Sequence, residues 1–292
     1  MEVVPIAEGL PRMQALASRL WSRESRHHPG QLAWSVGYAV PEDLDHGPVA
    51  LASVADRDVA WAWQESPGWL EVCVDPEHPQ AGRDLLGWAV AGGATLEASV
   101  LETEHHLLDL LGEVGFVVDD GPPWFTHHHL DLAGIEEPTP PAGYRLRHVE
   151  EDEADTRAAC HRAAWSATSK VSGAAYRQLM ALRPYRTDLD WVAVDEDDGR
   201  MVASTLVWLD VATGVALVEP VGCLPEHRGR GLAGMTSLAA LAAAARAGAT
   251  TALVCPRGDD DHPLPARVYR RLGFEPGART LTLRREARPT PA

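Results

Sequence analysis

The stretch Val218-Glu219-Pro220-Val221-Gly222-Cys223-Leu224-Pro225-Glu226-His227-Arg228-Gly229-Arg230-Gly231-Leu232-Ala233 decides how the chain is read. An apolar strand runs into a Pro-marked turn, then a loop of glycine and arginine, then an Ala-rich helix. Met235, Leu238, Leu241, Ala242 and Ala245 form an apolar stripe at helical spacing, and Gly248 is a natural stop just past it. The first amides of such a helix have no partner within it, and its dipole adds partial positive charge. Gly229 and Gly231 let a ligand approach the backbone with no Cβ in the way. Arg228 and Arg230 add two full charges. The combination predicts a phosphate or pyrophosphate site, although a plain basic surface loop would use the same residue types.

Working outward, 292 residues suggest about two domains, and 45% apolar residues are enough for real cores. No apolar run approaches the ~18–20 residues of a membrane span, so no membrane partner is expected. Met1-Glu2-Val3-Val4-Pro5 lacks a basic region followed by an apolar core, so no signal peptide is expected. Cys73, Cys160, Cys223 and Cys255 are widely spaced inside apolar runs, which predicts reduced thiols in a cytoplasmic protein and no zinc or disulfide framework. The net charge of −16 repels nucleic acid and suits an amine-bearing partner, or simply serves solubility.

Hydrophobic spacing predicts helices at 7–22, 82–92 and 105–114 and strands at 48–54, 58–64, 69–74, 95–101 and 125–132. The Pro-rich segment 135–143 reads as a linker. Beyond it the order repeats: strands at 144–149, 191–195, 201–209, 215–223, 251–255 and 279–284, helices at 152–165, 173–183, 265–272 and after the loop. Pro76-Glu77-His78 and Pro225-Glu226-His227 are the same tripeptide, Gly82 and Gly231 keep the offset, and Gly115-Phe116 is matched by Gly273-Phe274. These matches predict a duplicated domain: α/β, with a twisted mixed sheet flanked by helices in each copy, residues 1–134 and 144–292.

The copies differ in chemistry. On the loop of the second copy, Pro79 falls at Arg228, Gln80 at Gly229, Ala81 at Arg230, Gly82 at Gly231, Arg83 at Leu232 and Asp84 at Ala233. Proline removes a donor. A carboxylate brought ~4 Å from a phosphate costs several kcal/mol at an effective dielectric near 20. The first copy therefore reads as one that kept the fold and lost the anion site, or as one that takes another ligand and helps form the substrate cleft.

Arg228, Gly231 and Ala233 resemble the Gln/Arg-x-x-Gly-x-Gly/Ala acyl-CoA loop of the GNAT superfamily of N-acyltransferases, in which tandem domains are known. The resemblance implies acetyl-CoA as acyl donor. It places pyrophosphate on Arg228, Gly229, Arg230, Gly231, Leu232 and Ala233, with pantetheine along Val221-Gly222-Cys223. Pro220 and Gly222 weaken regular ladder pairing there, which fits a strand that opens to a ligand. Glu219 is a lone carboxylate in an apolar strand. Half-burial would raise its pKa and suit a base, while a solvent-facing or Arg-paired Glu is the plainer alternative. By resemblance it takes the amine proton, and Tyr269, ahead of Gly273-Phe274, is the acid for the leaving thiol or packs in the core. His262 stands where the family usually has Asn, so it replaces a cofactor contact or marks its loss. Leu111 occupies the Tyr269 position in the first copy.

The expected activity is acetyl transfer to a primary amine of a small molecule or peptide. The alternatives are a non-catalytic acyl-CoA sensor and a structural tandem protein. A homodimer is compatible with either. Cys223 borders the loop but has no evident His partner for a covalent step. His127-His128-His129 and Asp259-Asp260-Asp261-His262 are weak metal patterns, and no metal is expected. Trp165, Tyr176, Tyr185 and Trp191 belong to the segments that roof the substrate by resemblance, with core packing the plainer role of each.

Overall fold

The computed structural model describes residues 1–38, 46–119, 121–166 and 168–287. The first half runs β1 (Glu2–Val4), α1 (Ile6–Leu20), α2 (Pro29–Tyr38), β2 (Val49–Val54), β3 (Arg57–Ser66), β4 (Trp69–Val74), α3 (Pro79–Val90), β5 (Leu96–Leu101), α4 (His105–Glu113), β6 (Val117–Asp119) and β7 (Thr126–Asp131). The second runs β8 (Tyr144–His148), α5 (Ala154–Ala164), α6 (Gly173–Ala181), β9 (Asp190–Asp195), β10 (Met201–Asp210), β11 (Val215–Cys223), α7 (Leu232–Arg246), β12 (Thr251–Val254), α8 (Leu264–Arg271) and β13 (Glu275–Arg285). The element order repeats as the sequence predicts. Helix α2 and the short strands β1 and β6 are additions to that expectation.

The strands form one mixed sheet ordered β1-β2-β3-β4-β5-β13-β7-β12-β11-β10-β9-β8, with β6 beside β13. This corrects the expectation that 125–132 closes the first copy and 279–284 the second. Strand β7 leaves the first half and pairs with β12, His129 opposite Leu253. The later part of β13 returns to the first half and pairs with β5 from Thr280↔Leu101 to Arg285↔Leu96. The two halves therefore exchange their last strands. Each exchanged strand is internal to the sheet, so its backbone groups are paired on both edges instead of being left at a sheet edge.

One face carries α1, α2, α5 and α6. Leu10, Met13, Leu16 and Ala17 of α1 bury against Trp61 and Trp63 of β3. Ala33 and Trp34 of α2 enter the core of the second half with Trp208, Leu217, Leu253 and Tyr176. The opposite face carries α3 and α4 on the first half and α7 and α8 on the second. Helix α7 is buried more widely than a single stripe: Leu232, Thr236, Ala239, Ala240 and Ala243 are inside, while Met235, Leu238 and Ala245 are half-buried. Gly248, at φ +103°, ends it as expected.

Under α5 the fully buried Arg157 donates from Nε to Asp190 Oδ1 at 2.9 Å, and Asp190 also accepts from the hydroxyls of Tyr176 and Tyr185. Tyr176 and Tyr185 therefore serve the core, as does Trp191, whereas Trp165 is 45% exposed. The four cysteines are unpaired. No helix among the described residues is long and apolar enough to cross a membrane, and none of those residues forms a group of three or more potential metal ligands.

Two outcomes test this architecture. Residues 1–136 expressed alone lack the strand that caps β5, so they should show no cooperative urea transition, whereas the full chain should. Asp190→Ala leaves Arg157 buried without a counter-charge and should lower unfolding free energy by about 3–5 kcal/mol, measured by denaturant titration.

Candidate active site

Strand β11 pairs in parallel with β12 only from Val215↔Thr251 to Leu217↔Leu253; beyond Leu217 the two strands part. On its other edge β11 bulges against β10: between the pairs Val218↔Val207 and Val221↔Thr205, Glu219 and Pro220 stand opposite the single residue Leu206. Alternation from Val215 and Leu217 puts Glu219 on the α2 face, and the bulge shifts the phase of the residues that follow it, so that Gly222 also faces that side, toward Ala164. Val221, Gly222 and Cys223 follow, all half-buried along the open edge. A Cβ on Gly222 would stand 2.8 Å from Ala164 and 3.1 Å from Trp165 Nε1, so glycine lets α5 close on the strand.

The loop beyond has the form of an anion cradle. Gly229 and Gly231 sit at φ +78° and +80°, a region that side chains disfavour, and open space lies where a Cβ would be. The amides of residues 229–234 donate to no acceptor among the described residues, and the first regular bond of α7 runs from Met235 N to Gly231 O at 3.0 Å. The arginines brace the loop. Arg228 donates to Cys223 O and Ala164 O, both at 3.1 Å. Arg230 donates to the Tyr144 hydroxyl at 2.5 Å, which hydrogen-bonds His227 Nδ1 at 3.0 Å. Tyr144 was not singled out in the sequence because it is 86 residues from its partner. Leu232 is buried, Ala233 is half-buried, and His262 is exposed at the approach to α8, away from any described hydrogen bond.

Glu219 and Tyr269 come together at the parting of the strands. Burial pushes the Glu219 carboxyl up to about 7; Arg26 opposes that rise and Glu65 adds to it. Tyr269 is 8% exposed, stacks edge-on to Phe274 at 5.7 Å, and has its pKa raised by burial and by the charges of Glu219 and Cys255. At neutral pH it is a protonated phenol beside a carboxyl poised to titrate. Burial also raises the thiols of Cys223 and Cys255, so neither is a thiolate nucleophile.

The first half supplies groups that sequence reasoning did not assign. Arg26, in the segment between α1 and α2, forms a two-pronged ion pair with Glu71 of β4, whose Oε1 also accepts from Trp69 Nε1 at 2.8 Å. Burial works against the Glu71 charge, but Arg26 outweighs it and holds the carboxyl below its usual range. Glu65 of β3 stands within electrostatic reach of both Arg26 and Glu219, and burial raises its pKa. On β7, His127 and His129 share the face of Glu219, with rings 6.4 Å apart, and burial pushes them down to about 3 and about 4.

The corresponding loop of the first half is built differently. Helix α3 starts directly at Pro79, so the positions matched to residues 228–231 lie in its first turn, and Ala81 N already donates to His78 O at 3.1 Å. Gly82 is buried, where a Cβ would meet Leu110 at 2.7 Å. Asp84 is exposed and accepts from Gln80 at 2.9 Å. The strands still part, since β4 pairs with β5 only through Trp69↔Glu97 and Leu70↔Ala98. A cavity of ≈ 240 Å³ lined by Cys73, Val74, Glu104 and His106 remains there.

Residues 151–274 match the acetyltransferase (GNAT) family model. The chain as a whole has the tandem GNAT fold. It superposes on a tandem GNAT protein from the clavulanic acid biosynthesis pathway with TM-score 0.70 and 23% identity, over 99% of both chains. A GCN5-related N-acetyltransferase from Sphaerobacter thermophilus gives 0.63 and 18%, over 99% of this chain and 96% of that one. A GNAT-family acetyltransferase from Colwellia psychrerythraea gives 0.63 and 13%, over 98% and 100%. No curated protein matches the chain.

The titration of Glu219 has a definite sign. The folded chain keeps a proton to about 7 that the unfolded chain releases near its ordinary value of 4.5, so stability falls as pH rises between the two. Glu219→Gln should flatten that segment of a stability-versus-pH curve measured by urea unfolding.

Proposed function

We propose that the chain is an acetyl-CoA-dependent N-acetyltransferase acting on a primary amine, with the reaction carried by the second half. The observation that carries this is the juxtaposition across one strand. The glycine cradle and its six unpartnered amides lie at the end of β11, and Glu219 with Tyr269 lies where β11 parts from β12. The fold supports acyl transfer in general.

The residues present fit the donor. The amides of 229–234 hold its pyrophosphate, with Arg228 and Arg230 shaping the loop and adding charge. Val221, Gly222 and Cys223 offer the open strand edge to the pantetheine arm. The donor supplies the acetyl group as a thioester. Glu219, half of it ionised near pH 7, takes a proton from the acceptor ammonium, and the free amine attacks the carbonyl carbon. Backbone N–H groups at the open edge stabilise the oxygen as charge develops. Tyr269 gives its proton to the departing thiolate sulfur as the C–S bond breaks, and the proton that the attacking nitrogen sheds replaces it on the phenolate, leaving an amide and a thiol. The high thiol pKa values of Cys223 and Cys255 favour direct transfer with no acyl-enzyme. The first half, with helix where the second has its cradle, holds no CoA in this reading.

Calorimetry with acetyl-CoA should give one site per chain; two sites would remove the assignment of the first half. A screen of amines by thiol release should find acceptors whose kcat/KM falls as pH drops below about 7, since the base must be ionised. Tyr269→Phe should lower kcat about 10²–10⁴-fold with CoA affinity little changed. Wild-type rates in this variant would exclude Tyr269 as the acid.

A further inference from the structure

Viewed from the α2 face, the sheet sets polar groups of both halves around one place. Cys255 continues β12 past the Val254↔His128 pair, which puts it level with His127 on β7. On the other side of Cys255, across the parted strands, is Glu219, and the two are in electrostatic contact. Glu219, Cys255 and His127 thus form a row over three strands: β12 and β7 lie a paired-strand spacing of ~4.8 Å apart, and β11 stands farther off across the parting. Beyond it lie Arg26 and Glu65 of the first half.

The hydrogen-bonding character of this place is one-sided. Its permanent cation, Arg26, is spent on Glu71. Glu65 makes no ion pair among the described residues; Ser35 of α2 is its hydrogen-bond partner, and His46 and Arg26 are the positive groups around it. Glu104, near Arg26, is occupied by the amides of Leu101 and Arg26. His127 is 3% exposed and makes no described hydrogen bond; His129 is 7% exposed, with both ring nitrogens unpartnered. Each neutral imidazole carries one lone pair and one N–H, while the carboxylates are acceptors only, so acceptors outnumber donors here. Buried polar groups without partners are exceptions that call for one. Glu219 and Glu65 both keep partial exposure, so a ligand can reach them.

Resting on the acetyltransferase reading, we propose that the acceptor pocket is shared by the two halves and takes a small dication, a diamine or an amine bearing a second ammonium. The reacting amine sits at Glu219 and the second cation at Glu65, with His127 and His129 lining the span between. An acceptor with a single ammonium would leave Glu65 with no counter-charge and the imidazole lone pairs dry. A ligand with N–H groups at both ends meets the carboxylates and the imidazole lone pairs. Glu65 is a specificity residue in this scheme. It touches the end of the acceptor that does not react.

The test is calorimetric titration of the full chain with diaminobutane and diaminohexane against butylamine and hexylamine, alongside thiol-release kinetics with acetyl-CoA. The wild type should bind at least one diamine roughly tenfold to hundredfold more tightly than its matched monoamine, the value of a charge-assisted hydrogen bond. Glu65→Gln should bring that ratio close to one, and in kinetics the change should fall on KM. Retained acetyl-CoA affinity in the variant shows that it folds. Glu65→Asp should restore part of the ratio. A wild type that binds mono- and diamines equally, or neither, overturns the proposal, as does a ratio unchanged in Glu65→Gln. Diamine binding lost in Glu65→Gln but with no thiol release from any amine would support this pocket while removing the acetyltransferase reading.

Discussion

The exchange of β7 and β13 is the constraint on which the rest depends. A strand inserted between two others must match the register of both neighbours, and a slip by one residue would turn every side chain to the wrong face. Strand β7 meets this against β12 and β13 together: His129 faces Leu253 on one side and Glu275 on the other. Leu130 is thereby sent to the α7 core, and His127 and His129 to the α2 face. Because the exchange is mutual, neither half can move as a body without breaking ladders in the other. The distance between Glu219 and the Arg26–Glu71 pair is set by the sheet, and a flexible linker has no part in it.

That rigidity decides the state of Glu219. Two opposite unit charges ~8 Å apart attract by about 2 kcal/mol at an effective dielectric near 20, enough to lower a carboxyl pKa by more than one unit. A free Arg26 would therefore hold Glu219 ionised and weakly basic. Its two-pronged pairing with Glu71 turns the cation into a dipole as seen from Glu219. Desolvation then wins, and the Glu219 carboxyl is held up near 7. Glu71 is thus an electrostatic partner of the site although it lies on a strand of the other half.

Local features were legible in the sequence. The loop of Arg228–Ala233, the paired Pro-Glu-His tripeptides, and Gly248 after α7 each act through their immediate neighbours, so residue type and spacing suffice to read them. The exchange was not legible, because the alternation of β7 is the same whichever sheet receives it. Helix α2 was hidden by Gly30 and Gly37, which weaken its helical signature. The structure gives the reason for them. A Cβ at Gly30 would lie 2.1 Å from Trp208 Cβ, and one at Gly37 would lie 2.3 Å from Leu179 Cδ1. The glycines that obscure the helix are what seat it on the second half. Arg26, Glu65 and Glu71 were missed for the same reason: their relation to Glu219 runs through that seating and leaves no spacing to detect. In the first half, Pro79 was correctly seen to withdraw a donor, but its larger effect is to start α3 early and remove the cradle altogether.

The loss of the cradle in the first half is structurally inexpensive because of where it lies. The positions matched to it sit under α3 on the face away from α2, where Gly82 now packs against Val74 and Leu110. The face toward the second half is untouched by that change. It carries Ala33 and Trp34 into the second core, fixes Arg26 and Glu65 beside Glu219, and sends β7 across the sheet. A half that builds no glycine loop of this kind still supplies part of the second core and the charges near Glu219. Its contacts with the second half lie on the opposite side of the sheet from α3, and both exchanged strands are paired on either edge. The asymmetry of the two halves follows this separation of faces: they differ where α3 and α7 begin, and they are packed together on the face that carries α2.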